Sequence, residues 1–227
     1  ASNYSWSFTT GAATSQSPVT IQSSNTKTGT AATVHSLTGV AAGALLVLST
    51  TADAVVSNCI VTSSPSLTWT KRVDAGATNS DNAEIWTAVY TAGGSITVTS
   101  NWGAGNSQAS VCYIVLNAEP TLNGAFGTAT LQTSPSVTIT TTRENSIIFG
   151  CTADWRAISG TTRTLRDEAT EALYFKDGNF TTYHYNKAAA TIGAYTEGVS
   201  LPTGQQASTS LLEIRSNAVA ANTPPTV

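Results

Sequence analysis

Leu173-Tyr174-Phe175-Lys176-Asp177-Gly178-Asn179-Phe180-Thr181-Thr182-Tyr183-His184-Tyr185 is the stretch whose reading decides the fold. Aromatic and β-branched residues fill both arms and favour extended backbone. Asp177-Gly178 divides the arms, and an Asp-Gly pair suits the positive φ angles of a type I′ hairpin turn. A two-residue turn there sets Phe175 opposite Phe180 and Tyr174 opposite Thr181. Successive side chains of a strand point to opposite faces. One face of this hairpin therefore carries Leu173, Phe175, Phe180, Thr182 and His184, and is expected to turn inward. The other carries Tyr174, Lys176, Tyr183 and Tyr185, and is expected to face solvent.

The same grammar extends outward from the hairpin. In residues 95–102, Ile96 and Val98 share one face while Ser95, Thr97 and Thr99 share the other. In residues 136–142, Val137 and Ile139 oppose Thr138, Thr140 and Thr142. Such alternation fits antiparallel sheets with one wet face. Residues 111–116, 44–48 and 147–149 are apolar on both faces and read as central strands. Further strands are expected over 19–22, 32–37, 59–63, 68–73, 83–90, 173–176, 180–187, 191–196 and 207–214, with a short helical turn within 163–172. No segment sustains a helical period and no fixed sequence repeat recurs. The expected fold is all-β: an antiparallel, jelly-roll-like β-sandwich forming a single domain over 18–216. Residues 1–17 read as a linker or the end of a preceding Ig-like domain, and 217–227 as a linker toward a following domain.

Composition narrows the setting. The chain has 227 residues, of which 41% are hydrophobic and only 10% charged, against about 25% charged in an average globular protein. Its polar surface must then be built from Thr, Ser, Asn and Gln, a common extracellular β composition. The chain opens at Ala1 and contains no Met, which is expected of a processed segment of a secreted or cell-surface protein. The 10 Lys and Arg are scattered and the net charge is −3, so no basic patch offers itself to phosphates and nucleic-acid binding is disfavoured. The longest apolar run, over 40–48, is too short to span a bilayer, so no membrane insertion is expected. Cys59, Cys112 and Cys151 match no zinc spacing. One disulfide with a spare thiol, or three buried thiols, are both open.

Several segments resemble known modules. Tyr4-Ser5-Trp6-Ser7-Phe8-Thr9-Thr10 resembles the last strand of bacterial Ig-like domains, and Asn222-Thr223-Pro224-Pro225-Thr226-Val227 resembles the start of PKD-type domains. Gly43-Ala44-Leu45-Leu46-Val47, Leu67-Thr68-Trp69-Thr70-Lys71, Glu84-Ile85-Trp86-Thr87-Ala88 and Gly94-Ser95-Ile96-Thr97-Val98-Thr99 are similar to β-sandwich modules of multidomain secreted bacterial proteins. The resemblance implies a jelly-roll-like sandwich, with flanking domains in the same chain and Trp69 and Trp86 in or near the core. It brings no functional residue. Tyr174-Phe175-Lys176-Asp177-Gly178-Asn179-Phe180 is similar to a motif of jelly-roll alginate lyases, but Phe180 stands where that family has its catalytic Tyr.

The expected function is a non-catalytic binding module, carbohydrate-binding or adhesive, with a polysaccharide or surface glycan as partner. β-Sandwich modules hold sugars by stiff aromatic rings under the pyranose face, with polar neighbours for the hydroxyls. Tyr174, Tyr183 and Tyr185, with Lys176 beside them, are the candidate platform. Trp102 and Trp155, next to loop residues, are candidate rim contacts. Asp74, Asn79 and Asp81 cluster in a Gly-containing loop, and closely spaced oxygens suit a hard cation. A structural calcium is the candidate cofactor there; no other is required. Two alternatives stand beside this reading. One is a polysaccharide lyase or hydrolase on a jelly roll, which requires a cleft with paired carboxylates, or His184 beside Tyr and Arg. The other is a spacer or adhesin stalk, which requires termini at opposite ends.

Overall fold

The computed structural model describes residues 16–53, 58–76, 81–120 and 124–217. Their strands come in two runs of eight. The first comprises β1 (Thr20–Gly29), β2 (Thr33–Val40), β3 (Ala44–Ala52), β4 (Ile60–Ser64), β5 (Thr70–Gly76), β6 (Asn82–Tyr90), β7 (Gly94–Asn101) and β8 (Gln108–Leu116). The second comprises β9 (Phe126–Gln132), β10 (Ser136–Thr140), β11 (Ser146–Asp154), β12 (Thr164–Leu165), β13 (Thr170–Lys176), β14 (Thr181–Ala189), β15 (Ala194–Leu201) and β16 (Ala207–Ile214). All the pairings are antiparallel. The all-β, antiparallel, jelly-roll-like expectation is met.

The order of strands adds a feature absent from the sequence reading. The first run forms a five-stranded sheet, β1-β8-β3-β6-β5, and a three-stranded sheet, β2-β7-β4. The second forms β9-β16-β11-β14-β13 and β10-β15-β12. Adding eight to each strand number of the first pair of sheets reproduces the second. The chain is a tandem duplication of one eight-stranded sandwich. Details repeat as well. The β5–β6 ladder is bulged just before the pair Val73 and Ile85, and the β13–β14 ladder just before the equivalent pair Leu173 and His184. Strands β3 and β11 are each preceded by a residue in the left-handed region, Gly43 at φ 80° and Asn145 at φ 58°.

The two five-stranded sheets pack face to face, and each three-stranded sheet covers the outer face of its own partner, giving four layers. The middle layer joins Leu45, Val47, Ile85 and Tyr113 of the first sandwich to Phe149 and Leu212 of the second. The rings of Tyr113 and Phe149 lie 4.8 Å apart. Strand contacts across this layer are reciprocal: β3 meets β11, β5 meets β9, and β1 meets β13, as a two-fold relation between the halves requires. Burial on both faces explains why β3 and β11 are buried along their whole length.

The middle layer is not purely apolar. His184 is fully buried, its Nδ1 2.8 Å from Ser49 Oγ and its Nε2 3.2 Å from Thr51 Oγ1. Thr51 Oγ1 also meets Thr182 Oγ1 at 2.8 Å, and Ser210 donates to the Ala83 carbonyl at 2.7 Å. Each pair joins the two halves, so hydroxyls and an imidazole fix the register of one sandwich on the other. His35, at an unrelated position, is buried inside the first sandwich and bonded to Asn25 and Ser110. Burial drives the imidazole pKa down to about 4 for His35 and about 3 for His184. The three cysteines are buried and unbridged.

Candidate functional site

The hairpin turn differs from the type I′ expectation. The Asp177 side chain accepts the N–H groups of Asn179 and Phe180, and its own N–H donates to the Phe180 carbonyl. This side-chain-capped turn spans 177–180, so Lys176 pairs with Thr181 and Phe175 with Thr182. The carboxylate captures the amides that a two-residue turn would have left to the ladder. The register slips by two residues, which preserves face parity, and Phe180 still packs edge-on against Phe175 at 5.9 Å.

The outward tyrosine platform is corrected. Tyr183 and Tyr185 are fully buried, in the core between β14 and the small sheet that contributes Val137, Ile139 and Val199. Tyr174 is half-buried, with the Arg163 guanidinium 4.2 Å from its ring centre and its hydroxyl accepting the Gly160 N–H at 3.0 Å. Arg163 is in turn paired with Glu171. Both faces of the hairpin are therefore covered, one by the first sandwich and the other by the second small sheet and the 155–163 loop. Lys176 is exposed, but its Nζ donates to the Asp177 carbonyl. Trp102 is not a rim residue: it is 4% exposed and donates to Thr50 Oγ1 at 2.8 Å. Trp155 is half-buried in the loop after β11, its backbone N–H on the Gln206 carbonyl.

Of the candidate calcium ligands, Asp74 and Asp81 stand in different surroundings. Asp74 is exposed and pairs with Lys71, while Asp81 is buried and accepts from Ser208 of the other sandwich at 3.3 Å. Asn79 lies outside the described residues. Among the described residues no three His, Cys, Asp or Glu side chains converge as metal ligands.

A different place concentrates polar chemistry. After β12 the chain makes one tight turn, Arg166–Glu168, before entering β13. Asp167 and Glu168 occupy the left-handed region at φ 47° and 54°. Consecutive non-glycine residues there carry strain of about 1–3 kcal/mol each, so the surroundings must hold them. Arg166 donates to the Pro135 carbonyl and to Ser134 Oγ at 3.3 and 2.8 Å. Lys187 of β14 donates to the Asp167 carbonyl and stands 3.8 Å from its carboxylate. The Ala169 N–H closes the turn on the Arg166 carbonyl at 3.0 Å.

Between this turn and the outer face of β15 lies an open groove of about 630 Å³. Leu165, Arg166, Asp167 and Glu168 form one side, and Ala194, Thr196 and Ser200 the other. Behind it, on the inward face of β15, sits Glu197. It is fully buried and both its carboxylate oxygens lack a hydrogen-bond partner. Burial, and then the Asp167 carboxylate, push its pKa up to about 7, against a smaller opposing pull from Lys187. A carboxyl that is half-protonated at neutral pH beside a second carboxylate is the most perturbed acid at the groove.

The sequence reading missed this corner because the strand expected over 191–196 stops one residue short of Glu197. Continuing its alternation puts Glu197 on the same face as Tyr195 and Val199. An acid at a core-facing position is the signal that marks it. No protein-family model matches the chain, and neither does any curated protein or any solved structure.

Proposed function

We propose that the chain is a non-catalytic, extracellular binding module of a larger secreted or cell-surface bacterial protein. Its ligand is a polysaccharide or surface glycan, taken by the groove between the Arg166–Glu168 turn and β15. The observation that carries this reading is the groove: guanidinium, carboxylate and hydroxyl groups face a space of about 630 Å³ beside the small apolar walls of Leu165 and Ala194. That volume and that mixture of few polar groups with apolar wall suit a ligand site, and paired donors and acceptors suit sugar hydroxyls. Histidine and cysteine chemistry is out of reach of a substrate, since His35, His184 and all three thiols are buried. A spacer role gains little from the geometry. Ser216 donates to Gln16 at 2.6 Å, so the chain enters and leaves the double sandwich at the same place and an in-line stalk would gain no length.

Binding to an immobilised polysaccharide panel should weaken at least about tenfold in Arg166→Ala and in Thr196→Trp, which removes a donor and fills the groove respectively. Unchanged binding in both variants rejects the groove. Cleavage of any member of the polysaccharide panel by the unmodified chain would replace the binding reading with the enzymatic one.

A further inference from the structure

We propose that the Arg166–Glu168 turn is a proton-operated latch on the groove, closed while Glu197 is uncharged and released when Glu197 ionises. What the latch regulates rests on the reading of the groove as the binding site; the latch itself rests on the geometry of the corner.

Glu197 projects into the second sandwich, where neither oxygen meets a partner at hydrogen-bonding geometry, although the Asp167 carboxylate is near enough to interact with its proton. A neutral carboxyl tolerates that place at modest cost, but a buried carboxylate must find a cation. The ionisable groups around it come from two elements: the turn contributes Arg166 and Asp167, and β14 contributes Lys187 and Tyr185, while across the β10–β15 ladder stands the apolar Val137. Thr152 of β11 is occupied with the hydroxyls of Tyr185 and Thr209. Arg166 is committed to Pro135 and Ser134. Lys187 is thus the cation that can change partner.

Lys187 is also what holds the turn, through the carbonyl and carboxylate of Asp167. Asp167 and Glu168 are in a backbone region they leave when released. Ionisation of Glu197 places two carboxylates in competition for one ammonium. If Lys187 moves to Glu197, the turn loses its anchor at Asp167 while Arg166 stays on Pro135 and Ser134, the strain at Asp167 and Glu168 favours opening there, and one wall of the groove moves. The element is bistable in the sense that a switch requires: a strained turn, one movable anchor beside a fixed one, and two acceptors whose charge states differ with pH.

The Ala169 amide reports the state of the turn, because it is bonded to the Arg166 carbonyl across it. Hydrogen exchange of that amide, corrected for its intrinsic pH dependence, should lose protection as pH rises through about 7, the pKa of Glu197. With an ordinary carboxyl pKa of about 4.3 once the turn is released, coupling to one proton predicts a loss of roughly tenfold between pH 6 and pH 8.5, levelling off above about pH 8. Glu197→Gln should keep the amide protected throughout. Asp167→Asn, which removes the competing charge, should move the transition to lower pH or abolish it. Lys187→Met should leave the amide unprotected at pH 6. Equal protection at pH 6 and pH 8.5 in the unmodified chain overturns the latch, as does a loss that persists in Glu197→Gln. The exchange experiment involves no ligand. A pH transition without polysaccharide binding therefore rejects the binding reading and leaves the latch. Binding with no transition does the reverse.

Discussion

Lowering the pH from 7 to 5 tests the buried histidines, and the size of the effect follows from their places. His184 sits in the layer between the sandwiches and His35 inside the first, and both are fully buried. Unfolded, each binds a proton with a pKa of 6.5; folded, the values fall to about 3 and about 4. Below pH 6.5 the unfolded chain therefore holds protons that the folded chain refuses, and stability falls as pH falls. At pH 5 each histidine costs about 2 kcal/mol relative to pH 7, or about 4 kcal/mol together, and the loss continues down to the folded-state pKa values. That is a large part of the 5–15 kcal/mol typical of a domain. Glu197 acts in the opposite sense: its raised pKa makes the folded chain bind the extra proton, so its contribution is present at low pH and lost as pH rises through about 7. The raised carboxyls of Glu84 and Asp53 act in the same sense, and replacing Glu197 removes the largest of these opposing effects, so the measurement is urea unfolding of Glu197→Gln at pH 7 and pH 5. Its unfolding free energy should drop by up to about 4 kcal/mol, and by more than that of the unmodified chain. Imidazole nitrogen shifts in the folded protein should stay those of neutral rings at pH 5. A midpoint that holds steady or rises in Glu197→Gln, or imidazolium signals from the folded state at pH 5, would refute the reasoning.

Other expectations concern packing. A Cβ on Gly150 would stand 2.2 Å from Tyr185 Cε2 and 2.8 Å from Leu211 Cδ2, so Gly150→Ala should lower stability by about 1–3 kcal/mol in chemical denaturation; an unchanged midpoint contradicts the packing. Tyr183→Phe should be neutral or stabilising, since the buried hydroxyl has no partner, whereas truncating Tyr183 and Tyr185 together to Ala should unfold the second sandwich, visible as loss of near-ultraviolet dichroism. Cys59 and Cys112 thiols are pushed up to about 11 and about 12 by burial, and Cys151 is raised as well. A thiol reagent should then label none of the three in the folded protein at pH 8 and all of them in denaturant. If the halves are true sandwiches, a chain cut between Pro120 and Gly124 should stay assembled through the middle layer, and its fragments should co-elute in gel filtration.

The strands were legible where one local rule was enough. Val98 and Ile96 alternate with threonines and lie on β7 with those threonines on the other face; residues 111–116 are apolar on both faces and form β8, buried between layers. Strand β9, Phe126–Gln132, was not legible because small residues along an edge give no period, and β12 is only two residues long. The orientation of Tyr183 and Tyr185 failed for a tertiary reason. Alternation reveals a covered face only when the other face is wet, and what covers the tyrosines is a sheet built from residues far along the chain. The duplication was invisible for a related reason. Leu45 aligns with Ile147, Val47 with Phe149 and Thr50 with Thr152: burial is kept while identity and size drift at most positions, so the repeat lives in pairing order rather than in letters.

The duplication also supplies an internal comparison for the candidate site. Leu37 pairs with Ile96 in the first small sheet, and the equivalent Ile139 pairs with Tyr195 in the second. Two residues on, Val98 and Glu197 are therefore the same position. The first sandwich fills it with a fully buried valine, as packing alone would choose. Its own buried acid, Glu84, lies on β6 and is satisfied by Lys71 and Trp86 at 3.1 and 2.7 Å. The second sandwich keeps an acid with no partner at a position its sibling shows to be happily apolar. Glu197→Val should then raise stability at pH 8 by about 1–3 kcal/mol, the typical cost of a buried polar group left unbonded, and should abolish the pH response of the Ala169 amide. A destabilised Glu197→Val protein would mean that the carboxyl is part of the packing. A stabilised one that has lost its response would mean that the second sandwich gives up stability to keep a titrating group behind the groove, as functional sites commonly do.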